Sequence, residues 1–413
     1  MALAPFPALL TALFAPPAPA AAAAAPPLPE AAVLAALCPA GEKCGGVTQQ
    51  SLGKDAAGRT MVLAGLDVTS KPFEETYGGP CFPSPQAILR VADGRIVKTE
   101  PVVTLHAESE CSYGASGGEE SLEYRDGRLV FSMTGGSAWG WSQTRAWTLS
   151  PELTLVESSN GAWWKLGPNT TDTTRDERRG VSRVRWSVPA CEGYSADDPM
   201  KSALLERAYT MIPRAAAGEV EALRAGWRTA ALPAGALDVT SAGGDGYVLH
   251  GKPGEAADAR LRVIALGDRE LLVEVADDHV VSGGKSWIFD DHLELWAGDS
   301  PLSYEATCHA MNPKAPLPDQ GVRPGRAWQW GVRLTDAAVS RGGGKPKVDP
   351  KIERAATPAA TRFRVVFPAE AKVFAVVYSD SDDAKTQKRL IGTAMVGLKD
   401  PFSLGLIEGA ANP

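Results

Sequence analysis

The stretch SWIFDDHLELWAGD, Ser286 to Asp299, sets Asp290, Asp291, Glu294 and Asp299 beside one imidazole, His292, and two indoles, Trp287 and Trp296. Strand alternation within DDHLELW sends Leu293 and Leu295 to one side and His292, Glu294 and Trp296 to the other. The leucines are expected in the core and the alternate row is expected to look out. Such a row has a definite chemistry. An indole plane stacks on the apolar C–H face of a pyranose ring while the imidazole and carboxylate bond its hydroxyls. Trp287, in the glycine-preceded loop SGGKSW, is placed to add a second contact. The plainer alternative is a solvated sheet face carrying one half-buried tryptophan.

Acids cluster in VADDHVV, FDDHLEL and YSDSDDAK. Calcium takes several oxygen ligands from loop carboxylates. Asp277, Asp278, Asp290 and Asp291 are therefore candidate ligands for a structural ion, as are Asp380 to Asp383. None of these runs has the spacing of an EF-hand. The chain carries no H-E-x-x-H, no P-loop and no G-x-G-x-x-G, so the familiar metalloprotease, nucleotide and dinucleotide motifs have no support. A pair of glycosidase carboxylates remains as a catalytic alternative, because their separation belongs to the fold and not to the sequence.

These residues need strands to hold them, and strands dominate the text. ARLRVIAL, ELLVEVADD, DHLELWAG, AWQWGVRL, TRFRVVFP and KVFAVVYSD are β-rich runs after Leu232. Trp328 and Trp330 share a side with Val332 and Leu334 and are expected to fill the core. SRGGGKPKVDPKIERAATPAA reads as an exposed, mobile loop. Between Gly58 and Pro189 further short strands alternate with turn signals. VADGRIV and YRDGRLVF read as hairpins, since Asp-Gly takes the positive φ angles of a type I′ turn. The tryptophans of GGSAWGWSQTRAW, AWWKL and Trp186 are either a thick core or an aromatic platform for polysaccharide.

DDPMKSALLERAYTM, with its acidic cap, its early proline and Leu204, Leu205, Ala208 and Met211 at helical spacing, is expected to be helical. The expected class is mainly β: two β-sandwich-like domains joined by a short helical segment. The boundaries expected are 1–37 signal-like or disordered, 38–196 all-β, 197–231 helical connector and 232–413 β-sandwich.

The chain has 413 residues, 44% hydrophobic and 22% charged, with a formal net charge of -7. That balance argues against a nucleic-acid partner, which favours concentrated basic surface. The apolar run near the N-terminus is followed by small residues suited to signal-peptide cleavage and is too short to span a bilayer, so export to the periplasm, outer envelope or medium is expected. AALC at Cys38 resembles a lipoprotein box, apart from its leucine. Six cysteines fit an oxidising compartment. Cys38 and Cys44 lie close enough to staple a loop; Cys81 with Cys111, and Cys191 with Cys308, are possible further pairs among many.

RELLVEVADDHVVSGGKSWIFDDHLELWAGD resembles the family 9 carbohydrate-binding modules and their relatives. The match falls on Leu271 to Asp278, Trp287, Asp290, Asp291, Glu294 and Asp299, over roughly residues 235 to 410. His292 departs from it, standing where a small residue is usual. The resemblance implies a β-sandwich holding a sugar between aromatic rings, with calcium in its loops. The relatives include haem-binding cytochrome domains with Met and His axial ligands; His309 and Met311 lie too close together for that role. LVFSMTGGSAWGWSQTRAWTL and the residues after it are faintly similar to a small β-domain of exported bacterial proteins. The expected function is non-catalytic binding of a polysaccharide or other glycan outside the cytoplasm. The alternatives are a structural or interaction protein of the cell envelope and, behind it, a glycoside hydrolase.

Overall fold

Asp93 and Gly94 have φ of 51° and 72°, and Asp126 and Gly127 have 51° and 76°. These are the left-handed conformations that a two-residue type I′ hairpin requires, so both expected Asp-Gly turns form. The structure, a computed structural model, describes residues 28–70, 74–76, 79–106, 119–136, 139–164, 170–190, 204–255, 258–300, 304–314, 325–396 and 403–409. As expected, the protein is mainly β; it divides into two compact units whose boundary does not coincide with the expected one near residues 197–231.

The first unit comprises residues up to 108 together with 149–153. It holds helix α1 (Glu30–Leu37), strands β1 (Cys44–Lys54) and β2 (Thr60–Val68), a small ladder of β3 (Glu74–Thr76) and β4 (Gly79–Cys81), then β5 (Pro83–Ala92) and β6 (Arg95–His106). The order β1-β2-β5-β6 is antiparallel throughout. Residues 30–37 were expected in a signal-like or disordered segment. They are folded instead, because Leu28 and Val33 bury against Val62, Ala64 and Leu89. Cys38 is disulfide-bonded to Cys44, as expected, which leaves Cys38 no thiol for a lipid. Cys308 is disulfide-bonded too; Cys111 and Cys191 lie outside the described residues.

The second unit begins with a seven-stranded antiparallel sheet: β7 (Glu119–Arg125), β8 (Arg128–Gly135), β9 (Trp139–Thr148), β10 (Thr154–Trp164), β11 (Thr170–Asp176), β12 (Val181–Pro189) and β13 (Leu204–Thr210). The helix expected from Leu204 onward is a strand. Its backbone completes a ladder with β12, Leu205 opposite Val188 and Tyr209 opposite Val184, and tertiary pairing of this kind overrides local spacing. Only α2 (Val220–Gly226) is helical in the expected connector. Trp139 is 57% exposed whereas Trp147 is 7% exposed, so the tryptophans of this sheet divide between surface and interior.

A β-sandwich follows. One sheet contains β14 (Leu237–Thr240), β15 (Gly243–Gly244), β17 (Ala259–Ala265), β18 (Glu270–Asp277), β22 (Lys351–Ala356) and β23 (Thr361–Val366). The other contains β16 (Tyr247–His250), β19 (His292–Gly298), β20 (Ala327–Arg333), β21 (Val339–Arg341), β24 (Val373–Asp380) and β25 (Arg389–Gly392). Helix α3 (Tyr304–Met311) lies between β19 and β20 in sequence. β22 and the last two residues of β21 fall within the segment expected to be a mobile loop.

Leu293, Leu295, Trp328, Trp330, Phe363 and Tyr378 fill the space between the sheets. Both sheets are also covered on their outer faces. Trp227, Leu232 and Ala236 pack on Ile264 and Leu272 of the first sheet. Trp296, Ala394 and Leu404 pack on Val373, Ala375 and Val377 of the second. This double cover is why ELLVEV and VFAVVY read as nearly unbroken apolar runs.

Candidate functional site

β19 lies between β20 and β24, with Glu294 opposite Gly331 on one side and Val377 on the other. The alternation expected from the sequence holds: Leu293 and Leu295 enter the central core. The outward exposure expected for the alternate row does not hold. His292 is 0% exposed, Trp296 3% and Glu294 9%. The cause is the cover over the second sheet. The Trp296 indole sits among Val373, Ala375, Val377, Ala394 and Leu404, so it offers no face to a sugar arriving from solvent. A stacking role for Trp296 is thereby corrected.

The four residues singled out in the sequence nevertheless converge. Trp296 Nε1 donates to Glu294 Oε2 at 3.0 Å. Gln329 Nε2 donates to the same oxygen at 2.9 Å. His292 Nε2 stands 3.7 Å from Glu294 Oε1, too long for a hydrogen bond. The His292 Nδ1 contacts the Asp290 carbonyl at 2.6 Å; a carbonyl only accepts, so Nδ1 is the donor there. Nε2 is buried and has no hydrogen-bond partner. Burial pushes the Glu294 carboxyl up, but His292 and the Trp296 and Gln329 donors outweigh it and hold the group below its ordinary range.

Trp287 closes this arrangement. It lies on a short 3₁₀ turn, Trp287–Phe289, half-buried, with its ring edge-on to His292 at 4.7 Å between centroids. It occupies the hollow left by a glycine: a Cβ at residue 331 would fall 2.3 Å from the Trp287 ring. Gln329 is a member of the site that the sequence reading misses. Its polar side chain between two core tryptophans was the available signal.

The acids divide in an unexpected way. Asp277, at the end of β18, and Asp291, just before β19, meet Asp380 at the end of β24, with one carboxylate oxygen from each lying within 4.8 Å of the others. Asp290 is elsewhere engaged, by Arg333 Nε at 2.9 Å and the Gly284 amide at 2.7 Å. Asp278 is exposed and outside the cluster. Asp382 pairs with Lys388 at 2.9 Å, and Asp383 accepts the Lys385 and Thr386 amides. The expected ligand set of Asp277, Asp278, Asp290 and Asp291 is therefore corrected at Asp278 and Asp290. Ion pairing and chain direction take those two away.

Burial pushes the Asp291 carboxyl up to about 7, against amide donors from Val281 and Ser381. Burial and the Asp277 charge likewise push Asp380 up to about 7. Tyr378 donates its phenol proton to Asp277 Oδ2 at 2.6 Å. Asp380 Oδ2 is buried without a hydrogen bond. Lys388 and Arg389 stand 4.0 and 3.6 Å from it and turn to Asp258 instead. An all-oxygen set with an orphaned buried acceptor and surplus negative charge fits calcium.

No family model matches the sequence, and no curated protein matches it. Among solved structures the chain is similar to a carbohydrate-binding module of family 9 from Caldicellulosiruptor kristjanssonii, determined in complex with glucose. The identity is 13%, the TM-score 0.27, and the match covers 38% of this chain and 78% of that one. A likeness of that size carries no argument about the ligand. Among the described residues, no helix is long and apolar enough to cross a membrane.

Proposed function

We propose that the protein is a non-catalytic carbohydrate-binding protein of an oxidising compartment, with its sugar site at Trp287, His292, Glu294 and Gln329. The observation that carries this reading is the half-buried Trp287 ring set edge-on to His292 beside Glu294 Oε1, while the Trp296 and Gln329 donors both go to Oε2. A sugar hydroxyl donates to Oε1, with the His292 ring held behind it by the Asp290 carbonyl. Trp287 supplies the apolar plane. Trp296 and Gln329 act through Glu294: they occupy Oε2 and leave Oε1 for the ligand. In this reading calcium is held by Asp277, Asp291 and Asp380 and ties the ends of β18, β19 and β24 together, supplying positive charge where carboxylates crowd.

The test is calorimetric titration of the full chain with a panel of neutral gluco-, xylo- and manno-oligosaccharides. Binding by the native chain, with a loss of about tenfold or more in Glu294→Gln and Trp287→Ala, is expected. A native chain that binds no member of the panel overturns the proposal. The second reading, an interaction protein of the cell envelope, is favoured by the cover over Trp296 and by the exposed Trp139.

A further inference from the structure

A polar trough crosses the seven-stranded sheet, away from the β19 site. A cavity of about 550 Å³ is lined by Ser159, Asp172, Thr174, Arg183, Arg185 and Tyr247. A second, of about 380 Å³, shares Thr174 and Arg183 with it and continues past Arg179 to Arg128. Strand register puts the lining on one face. Arg185 lies opposite Asp172, which lies opposite Gly161 and then Ser142; Arg183 lies opposite Thr174, then Ser159, then Thr144. The glycine at 161 lets two polar side chains close over the floor of the sheet. A Cβ there would stand 2.6 Å from Ser142 Oγ and 2.8 Å from Asp172 Oδ1.

The charges in the trough are unequally engaged. Arg179 makes a bidentate pair with Asp245. Arg183 Nη2 donates to the Gly244 carbonyl at 2.6 Å. Arg185 is exposed and, among the described residues, has no hydrogen bond or ion pair, even though Asp172 is its cross-strand neighbour. Tyr247 forms the wall. A simple phosphate would meet Asp172 as a like charge. A neutral sugar would leave the guanidinium without an acceptor. A ligand carrying both a carboxylate and hydroxyls answers both groups. The planar carboxylate suits the Arg185 fork, hydroxyls donate to Asp172, Ser159 and Thr174, and a C–H face lies on Tyr247.

We propose that this trough binds a uronate-containing saccharide, at a site separate from the one on β19. The experiment titrates the full chain with an oligoglucuronate, the neutral gluco-oligosaccharide of equal length, and inorganic phosphate. The expected result is uronate binding that weakens with salt and falls about tenfold or more in Arg185→Ala. Part of the loss should return in Arg185→Lys, which keeps the charge and loses the fork. Glu294→Gln should leave uronate binding intact, so failure here is distinguishable from failure at β19. The proposal is overturned if uronate fails to bind, if Arg185→Ala and Asp172→Asn, each with an unchanged circular dichroism spectrum, bind as the native chain does, or if phosphate displaces the saccharide at equal concentration.

Discussion

Trp296 Nε1 donates to Glu294 Oε2 at 3.0 Å, two residues along the same strand face. The indole therefore serves the carboxylate as a donor and the outer layer as filling. These two roles separate by substitution. Trp296→Ala should cost about 3–5 kcal/mol of stability, as large core truncations do. Trp296→Phe should cost less, about 1–3 kcal/mol, chiefly through the donor withdrawn from a buried carboxylate. Chemical denaturation measures both. Equal stability of native and Trp296→Ala proteins would contradict the burial found here.

Gly331 and Trp287 compete for one space. Gly331→Val should displace the Trp287 ring, raise its solvent exposure and weaken sugar binding while β19 and β20 stay paired. Quenching of tryptophan fluorescence by acrylamide reports the displacement. Identical quenching in the variant would remove Trp287 from the site.

Calcium should stabilise the second unit. After treatment with a chelator, added calcium at about one hundred times its Kd should add about 2.7 kcal/mol. Asp380→Asn should abolish that increment. The metal-free variant should be no less stable than the metal-free native chain, since a crowded buried charge has gone. No shift of the melting transition on adding calcium would refute the assignment of Asp277, Asp291 and Asp380.

Asp55 gives the first unit a measurable acid dependence. Burial pushes its carboxyl up, but hydrogen bonds from Arg90, Arg59 and the Arg59 and Ala57 amides outweigh it and hold the group down at about 2. An acid whose folded pKa lies below its unfolded value, ~3.9 for aspartate, stabilises the fold above that value. The contribution is lost as pH falls through the folded pKa. Stability of this unit should therefore drop between about pH 4 and about 2. Asp55→Asn should flatten that part of the profile. Amide exchange at Leu63 and Leu89, followed against pH, is the measurement; an unaltered profile in the variant would count against the contact with Arg90.

Local chemistry alone settled a good deal. Positive φ at Asp-Gly turns, the side-chain period of two along β19, and the apolar runs that became β17, β18, β20, β23 and β24 all follow from interactions within a few residues, and those are written in the chain. Leu293 and Leu295 faced the core for that reason. Spacing misled at Leu204–Thr210, where the edge of β12 offered a ladder that no local pattern records. The fate of the opposite face of β19 was decided by distant segments. Ala394 and Leu404 cover Trp296 because the chain returns across that sheet, and the unbroken VFAVVY of β24 was the one local sign of it. The acid cluster is tertiary in the same sense. Asp380 joins Asp277 and Asp291 only because the ends of β18 and β24, which belong to different sheets, come together, and proximity between strand ends is a property of packing, which sequence adjacency does not encode.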